Sequence, residues 1–280
     1  TWCDGSAATV GVVSTSNSLV GSNTNDRVGG NVTALTNGNY VVGSVGWDNG
    51  AISNAGAVTW RDGTGTFAAV VSPKNSLVGV LSNQGGTPTA LTNGNFVIVF
   101  RGVDAASIAA NMGAVIWVNG AVGVSGPISA QPAFRGSTTD DAIGSAGVYP
   151  LSNGNYVVCS PFWANGSMLN AGAATWGNGL GGSSGVISPA NSLVGRVTGD
   201  FVCYYGLAVL SNGNYVVTSS GWDNGALIDV GAVTWANGNS ATAALVSAAN
   251  SLTGTTAGDA IGYGSTVRGL ADGNYVVGSR

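Results

Sequence analysis

A phrase repeated five times along the chain constrains the fold more than any other feature. It reads Asn-Gly-Asn, an aromatic residue, Val and then Val or Ile, with Asp replacing the first Asn in the last copy. The aromatic residues are 56, 60, 59 and 60 positions apart, at Tyr40, Phe96, Tyr156, Tyr215 and Tyr275. A fixed period of this length is typical of proteins built from stacked units. We therefore interpret residues 1–280 as one domain of five copies, each about 59 residues long.

Three further phrases keep the same period. Small residues precede a tryptophan at Trp2, Trp60, Trp117, Trp176 and Trp235. Asn-Ser-Leu begins at Asn17, Asn75, Asn191 and Asn250, and Pro132-Ala-Phe134 replaces it in the remaining copy. Asp-x-x-Gly begins at Asp26, Asp141 and Asp259, Asp200 keeps the motif without its glycine, and the second copy lacks it around Asn83 to Gly86. We expect each Asp to accept hydrogen bonds from loop amides and to fix the junction between copies.

Each copy contains about four candidate strands. In the first copy they are residues 31–35, 39–45, 55–60 and 67–71. The Asn37-Gly38 turn between the first two is a strong hairpin signal. The second candidate is apolar on both faces, which indicates burial on both sides, as when one sheet stacks on another.

Four short antiparallel strands with a period near 60 are typical of one propeller blade. We therefore predict an all-β fold, a β-propeller of five four-stranded blades. The chain starts in a third strand, at Thr1-Trp2, and ends just after a second one. We accordingly expect Asn274 to Ser279 and the N-terminal strands to close the last blade. A β-helix or an open repeat array is the alternative, although no 20-residue sub-period is visible within a copy.

The composition supports strands and excludes two classes of partner. Gly supplies 47 of the 280 residues, and glycine is enriched in tight turns. Lys and Arg number 8, Asp 12, and Glu and His are absent, so the residues that usually cover the wet face of helices are scarce. A net charge of −4 with so few cations argues against nucleic acid and anionic lipid. No apolar run is long enough to span a bilayer, so we expect no membrane insertion.

The chain has three cysteines, Cys3, Cys159 and Cys203. An odd number allows at most one intramolecular pair, and no Cys-x-x-Cys spacing suggests a metal site. We interpret all three as small buried residues.

The repeated phrases resemble a known family of repeats. Asp-x-x-Gly, Leu-x-x-Gly-x-Tyr-Val-Val-x-Ser and Asn-Ala-Gly-Ala-Val-x-Trp together look like the FG-GAP repeat of integrin-type β-propellers. They are also similar to repeats of unassigned function in large secreted bacterial adhesins of the filamentous-haemagglutinin type. This resemblance implies an extracellular or cell-surface location. Many FG-GAP repeats bind calcium in an acidic loop between the first two strands, but the loops here, such as Thr36 to Asn39, are too short and too poor in acids. We therefore expect no metal and no cofactor.

A second family of loops offers candidate ligand contacts. Trp47-Asp-Asn-Gly50 and Trp222-Asp-Asn-Gly225 pair a flat ring with donors and acceptors, the chemistry that recognises sugars. The third copy has Trp163-Ala-Asn-Gly166, and the second has lost the motif at Gly102 to Asp104. The candidate ligand-binding residues are Trp47, Asp48, Asn49, Trp163, Asn165, Trp222, Asp223 and Asn224. The alternative is that these segments are turns whose tryptophans pack between blades.

No catalytic set is visible. Without His, the usual base of a serine or cysteine nucleophile is missing, and the acids recur at equivalent positions whereas an active site is usually unique. We predict a non-catalytic binding or adhesion module whose candidate partners are carbohydrate or another surface protein. The alternative is a self-associating structural unit of a fibre, sheath or surface layer.

Overall fold

The computed structural model describes residues 1–65, 68–102 and 110–278, and the side chain of Ser265 is not considered. The described chain is all-β. Its only helical elements are single 3₁₀ turns at Ile128–Ala130 and Tyr263–Ser265. No helix in these residues is long and apolar enough to cross a membrane.

The strands recur in the order set by the sequence repeat. The first strands are Asn31–Ala34, Thr87–Ala90, Val148–Pro150, Leu207–Val209 and Val267–Gly269. The second strands are Tyr40–Ser44, Phe96–Phe100, Tyr156–Ser160, Tyr215–Ser219 and Tyr275–Val277. The third strands are Ala57–Arg61, Ala114–Val118, Ala173–Gly177 and Ala232–Ala236. We number the repeats 1 to 5 by their second strands, and call residues 1–20 the N-terminal half-repeat and residues 267–278 the C-terminal half-repeat.

Two more strands follow the third strand. The crossing strands are Ala69–Val70, Gly126–Pro127, Gly185–Val186 and Ala244–Leu245. The outer strands are Leu19–Val20, Leu77–Val78, Phe134–Arg135, Ser192–Val194 and Leu252–Thr253. First, second, third and outer strands pair in that order, all antiparallel, within repeats 1 to 4.

The turn between the first two strands has the same geometry in every repeat. In repeat 1 the amide of Leu35 donates to the carbonyl of Asn39 at 2.8 Å, and the amide of Gly38 donates to the carbonyl of Leu35. Gly38 has a φ of +89°, a left-handed conformation that glycine adopts at little cost. The Asn-Gly signal therefore predicted this hairpin correctly.

The fourth strand differs from the prediction. Residues 67–71 were expected to form it, and Phe67 lies outside the described residues. Ala69–Val70 instead crosses to the preceding unit and pairs in parallel with the outer strand Leu19–Val20. The Asn-Ser-Leu segment, ending in Leu77–Val78, is the fourth strand of repeat 1. Each complete sheet therefore receives one strand from the repeat that follows it.

The sheets stack face to face, and the core lies between them. Val41 and Val58 of repeat 1 pack against Phe96, Ile98 and Ile116 of repeat 2 in one buried cluster. Neighbouring residues on a strand point to opposite faces, so the second strands of repeats 1 to 4 are buried on both faces, as their sequences predicted. Burying a side chain such as Phe96 contributes about 1.5–3 kcal/mol. The first strands of consecutive repeats also lie beside one another.

The terminal strands do not close a ring. Among the described residues, Tyr275–Val277 pairs with Val267–Gly269 alone, and Ser279 of the expected closing strand is not described. Val276 is 52% exposed, whereas its equivalents Val41, Val97, Val157 and Val216 are fully buried. The expected pairing of this strand with Thr1 and Trp2 is therefore absent, and a closed propeller is not confirmed.

Candidate functional site

Buried carboxylates organise the loops at one face of the repeats. One oxygen of Asp141 accepts hydrogen bonds from the amides of Ser137 and Thr138, at 2.7 and 2.9 Å. Its other oxygen accepts from the amide of Ala164, which follows the second strand, at 3.0 Å. The carboxylates of Asp26 and Asp200 bond in the same way to the amides of Asp48 and Asp223. These residues thus fix the loop before the first strand to the loop after the second.

Repeat 2 keeps this arrangement with a different residue. The side-chain oxygen of Gln84 accepts from the amides of Val80 and Leu81, at 2.8 and 3.0 Å, and Gln84 is buried. The motif around Asn83 to Gly86 is therefore substituted rather than lost, because an amide oxygen can accept the same two bonds as a carboxylate.

The predicted tryptophans lie in the core. Trp47, Trp163 and Trp222 are 2–3% exposed. Each belongs to the same buried cluster as the residue after a crossing strand, which is Val71, Ile187 or Val246. Their rings are therefore not available for stacking on a sugar, and the packing alternative holds for them. In repeat 2 the corresponding residues Val103 and Asp104 lie outside the described residues.

The polar candidate residues form hydrogen bonds with the backbone of these loops and their neighbours. The side-chain amides of Asn49 and Asn165 donate to the carbonyls of Gly79 and Gly195, at 2.9 and 3.0 Å. The carboxylates of Asp48 and Asp223 accept from backbone amides six residues further on. Asn224 exposes its side chain. The structure brings each tryptophan and its polar neighbours together within one loop, but does not join the loops into one ring-lined site.

A cluster of aromatic rings occupies the same face between repeats 3 and 5. Phe162 makes edge-to-face contacts with Phe201 and Tyr204, with ring centroids 6.3 and 6.2 Å apart. Tyr205 extends the row from Tyr204 to Tyr263, with centroid distances of 5.0 and 4.9 Å. We call these five residues the aromatic row. Three of its rings reach the surface, because Phe162, Tyr204 and Tyr263 are 38, 46 and 37% exposed.

The aromatic row lines an open hollow. A hollow of about 340 Å³ lies between Phe162, Phe201, Tyr204 and Tyr205, with Ser220 and Gly221 at its border. Phe162 also borders a second, more open hollow of about 560 Å³, whose polar lining residues are Arg101, Asn111, Asp140 and Asn170. Flat apolar rings therefore stand beside charged and amide side chains on one surface.

Two rings of the aromatic row stand at positions where the other repeats have different residues. This departure from the repeat pattern is the signal by which the sequence could have revealed them. Phe162 occupies the position before the loop tryptophan, where the other repeats have Gly46, Gly102 and Gly221. Phe201 follows the Asp of the Asp-x-x-Gly motif, where the other repeats have Arg27, Ala142 and Ala260. Sequence reasoning from equivalent positions selects what every repeat shares, so it found the scaffold and missed these rings.

A disulfide anchors the loop that carries three of these rings. Cys159 in the second strand of repeat 3 bonds to Cys203, which lies between Phe201 and Tyr204, and both cysteines are fully buried. Cys203 has a φ of +69°, at a position where other repeats have glycine. Cys3 is exposed. The interpretation of all three as simple buried residues was therefore wrong, because two are paired and the third is at the surface.

Burial also changes the pKa of a carboxyl group in this loop. It raises the pKa of Asp200 above the ordinary 3.8, although the amides of Val197, Arg196 and Asp223 donate to the carboxylate and oppose the shift. In the described residues, no group of three or more Cys, Asp, Glu or His side chains is placed to hold a metal ion. The expected independence from calcium remains a prediction.

One family of repeats matches almost the whole chain. It is described as a repeat of unknown function (DUF5650), and it matches residues 1–30, 34–86, 90–145, 150–204 and 209–263. No curated protein matches the chain. The family match does not link the chain to FG-GAP repeats or to adhesins. Since the five matched segments together cover most of its residues, the chain belongs to the DUF5650 repeat family.

Proposed function

We propose that this chain is a non-catalytic binding module that takes a carbohydrate on the aromatic row. The observation that carries the proposal is a continuous row of five rings on the loop face, three of them exposed to water. Saccharides present flat C–H faces, which stack on aromatic rings, and hydroxyls, which bond to polar groups at the rim. The second hollow beside Phe162 supplies such groups from Arg101, Asn111 and Asp140.

The position of the row supports a functional role over a packing role. Rings that serve the scaffold, such as Phe96, Tyr156 and Tyr215, are fully buried and occur at the same place in each repeat. Phe162 stands where other repeats have glycine, and Phe201 stands where they have Arg27, Ala142 and Ala260, so the fold does not need a ring at either position. Binding residues on loops held by a rigid scaffold are a common arrangement.

We further infer that the repeats are blades of a propeller-like array outside the cell. The sheets of repeats 1 to 4 each contain four antiparallel strands, and a parallel fifth strand is added in repeats 1 to 3. Their face-to-face stacking, with the first strands adjacent, supports this arrangement. The Cys159–Cys203 disulfide supports an oxidising compartment, because disulfides persist in secreted and surface proteins.

The test is binding of neutral oligosaccharides to the purified chain. A panel of neutral gluco-, galacto- and manno-oligosaccharides is titrated by calorimetry, and each is also added in a thermal melt, where a bound ligand raises Tm. We expect Phe162→Ala and Tyr204→Ala to weaken the saccharide that binds by about tenfold each, which corresponds to about 1.4 kcal/mol.

The matched control is Trp235→Ala, which removes an exposed ring on a different surface. It should leave the affinity unchanged. Failure of every saccharide to bind, or equal loss of affinity in the control, would exclude the aromatic row as a sugar site.

A structural role is the second candidate function. The observation that favours it is different, namely the face-to-face stacking of successive sheets, an arrangement that repeat arrays extend by adding further units. Ordered polymers of the purified chain would support this role.

A further inference from the structure

Ten Asn-Gly pairs occur along the chain, and they differ in what holds the amide of the glycine. In the turn between the first and second strands, this amide donates to a backbone carbonyl, as Gly38 does to Leu35 at 3.1 Å. After the third strand it donates to an asparagine side chain, as Gly120 does to Asn95 at 3.0 Å. Seven pairs have a glycine amide held in one of these two ways, and they begin at Asn37, Asn93, Asn153, Asn212, Asn119, Asn178 and Asn237.

The other three pairs lie in the loop after the second strand and begin at Asn49, Asn165 and Asn224. Each opens a two-residue turn. In repeat 4 the amide of Leu227 donates to the carbonyl of Asn224 at 3.2 Å, and the amide of Asn224 donates back at 2.9 Å. In such a turn the flanking residues exchange the hydrogen bonds, and the glycine between them takes a positive φ, here +63° or +64°. Within the described residues, no acceptor is found for the amides of Gly50, Gly166 and Gly225.

The three asparagine side chains differ from one another. Those of Asn49 and Asn165 are held by the carbonyls of Gly79 and Gly195. The side chain of Asn224 is exposed and has no hydrogen-bond partner among the described residues, although Gly254 occupies the equivalent position in repeat 4.

The surroundings of the Asn224 turn are also open. A Cβ atom placed on Gly225 would meet no other atom within 4 Å. The turn therefore combines an unrestrained side-chain amide with an unrestrained glycine nitrogen and free space around both.

We propose that Asn224 is a modification site at which the side-chain amide is lost by spontaneous deamidation. The nitrogen of Gly225 attacks Cγ of Asn224, and the new N–Cγ bond closes a five-membered succinimide ring. The Cγ–Nδ2 bond breaks, and the side-chain nitrogen leaves as ammonia with the proton of the glycine amide. Glycine permits this approach because it has no Cβ.

Water completes the reaction by opening the ring at one of its two carbonyls. Opening at Cγ gives aspartate, and opening at the main-chain carbonyl gives isoaspartate, in which the chain continues through the side chain. The reaction requires no further reactant.

The hydrogen bonds of the other pairs oppose this reaction. A glycine N–H that donates to a fixed acceptor keeps its nitrogen away from Cγ. In the strand turns the asparagine oxygen is held as well, since Oδ1 of Asn37 accepts from the amide of Asn39 at 3.1 Å. At Asn49 and Asn165 one side-chain hydrogen bond must break first, which should slow the reaction by about fivefold.

The product would change the loop in charge and in length. A carboxylate at position 224 makes the net charge one unit more negative than the present −4. It stands next to Asp223, whose carboxylate accepts from the amide of Asp229 at 2.8 Å. In isoaspartate the carbonyl that accepts from Leu227 becomes part of a free carboxylate, so the two-residue turn cannot keep its geometry.

The test follows isoaspartate in the folded 280-residue chain during incubation at mildly alkaline pH. Peptide mapping by mass spectrometry with electron-transfer fragmentation locates each product, and a protein isoaspartyl methyltransferase with labelled S-adenosylmethionine measures the total. We expect Asn224 to convert about fivefold faster than Asn49 and Asn165, and the seven held pairs to convert more slowly still. Asn224→Gln should remove the fast phase, because its longer side chain would have to close a six-membered ring.

The matched control is the same chain unfolded in urea, which keeps every Asn-Gly pair but removes the hydrogen bonds of the fold. All ten pairs should then convert at similar rates. Equal rates at Asn49, Asn165 and Asn224 in the folded chain, or a faster rate at any of the seven held pairs, would overturn the proposal. A folded chain that stays unmodified while the unfolded chain is converted would overturn it too.

Discussion

Nε1 of Trp60 donates a hydrogen bond to the carbonyl oxygen of Gly120, sixty residues further along the chain, at 2.9 Å. The bond joins two neighbouring repeats and recurs from Trp117 and Trp176. Tryptophan at this position therefore does more than fill space, because its N–H contributes to the junction. Trp235 is the same residue at the same place in the repeat, and 47% of its surface is exposed.

Replacing one junction tryptophan tests this role. Trp117→Phe keeps an aromatic ring but removes the donor to Gly179, so we expect a loss of about 1 kcal/mol or more in the free energy of unfolding. Trp235→Phe is the matched control and should change stability by less than about 0.5 kcal/mol. Chemical denaturation measures both. Equal losses would show that ring size, rather than the hydrogen bond, determines the effect.

The buried acceptors of the loop face should be among the most sensitive polar residues. Asp141→Ala leaves the amides of Ser137, Thr138 and Ala164 without their acceptor and should cost about 3 kcal/mol or more. Gln84→Ala removes an acceptor from two amides and should cost about 1–2 kcal/mol. Urea unfolding at neutral pH gives the two values. The reverse order would contradict the assignment of equivalent roles to Asp141 and Gln84.

Asp200 should make stability depend on pH with a defined sign. Burial raises its folded-state pKa above 3.8, so the folded state binds the proton more tightly than the unfolded state does. This contribution to stability is fully present below the unfolded pKa and is lost as pH rises through the folded pKa. The wild type should therefore lose part of its free energy of unfolding as the pH rises above 3.8, and Asp200→Asn should reduce that loss. Unfolding curves at several acidic pH values test this, and parallel wild-type and variant profiles would contradict it.

The disulfide should stabilise the aromatic row and the fold together. Cys159 and Cys203 are separated by 44 residues, and closing such a loop contributes about 2–4 kcal/mol. Reduction should lower Tm and, if a saccharide binds, weaken its affinity.

Two variants of Cys203 separate the effect of the disulfide on stability from the effect of the backbone conformation at this position. Cys203→Gly should be more stable than Cys203→Ser by about 1 kcal/mol, because glycine adopts the φ of +69° without strain. Thermal melts compare the two. A serine variant as stable as the glycine variant would show that this conformation costs little.

The last prediction concerns metal removal. The Asn-Gly turns are short, and side-chain amides rather than carboxylates line them in repeats 1 to 4. Such turns cannot supply the 6–8 oxygens that calcium requires. Melts with and without a chelator should give the same Tm, and a fall of several degrees on chelation would contradict this.

The repeat, the all-β character and most strand positions could be predicted from the amino-acid sequence. The Asn-Gly turns and the second strands, which are apolar on both faces, are recognised from neighbouring residues and from the period of about 59 residues. Both signals are present in the sequence itself.

Which strand joins which sheet, and where the aromatic rings gather, could be seen in the three-dimensional structure but not in the sequence. Ala69–Val70 pairs outside its own repeat, and Cys159 meets Cys203 across two repeats. Phe162 and Tyr263 approach the same loop from positions about a hundred residues apart. These relationships depend on how one sheet stacks on the next. A periodic sequence specifies that contact equally at every junction, so the sequence alone could not show which individual side chains meet there.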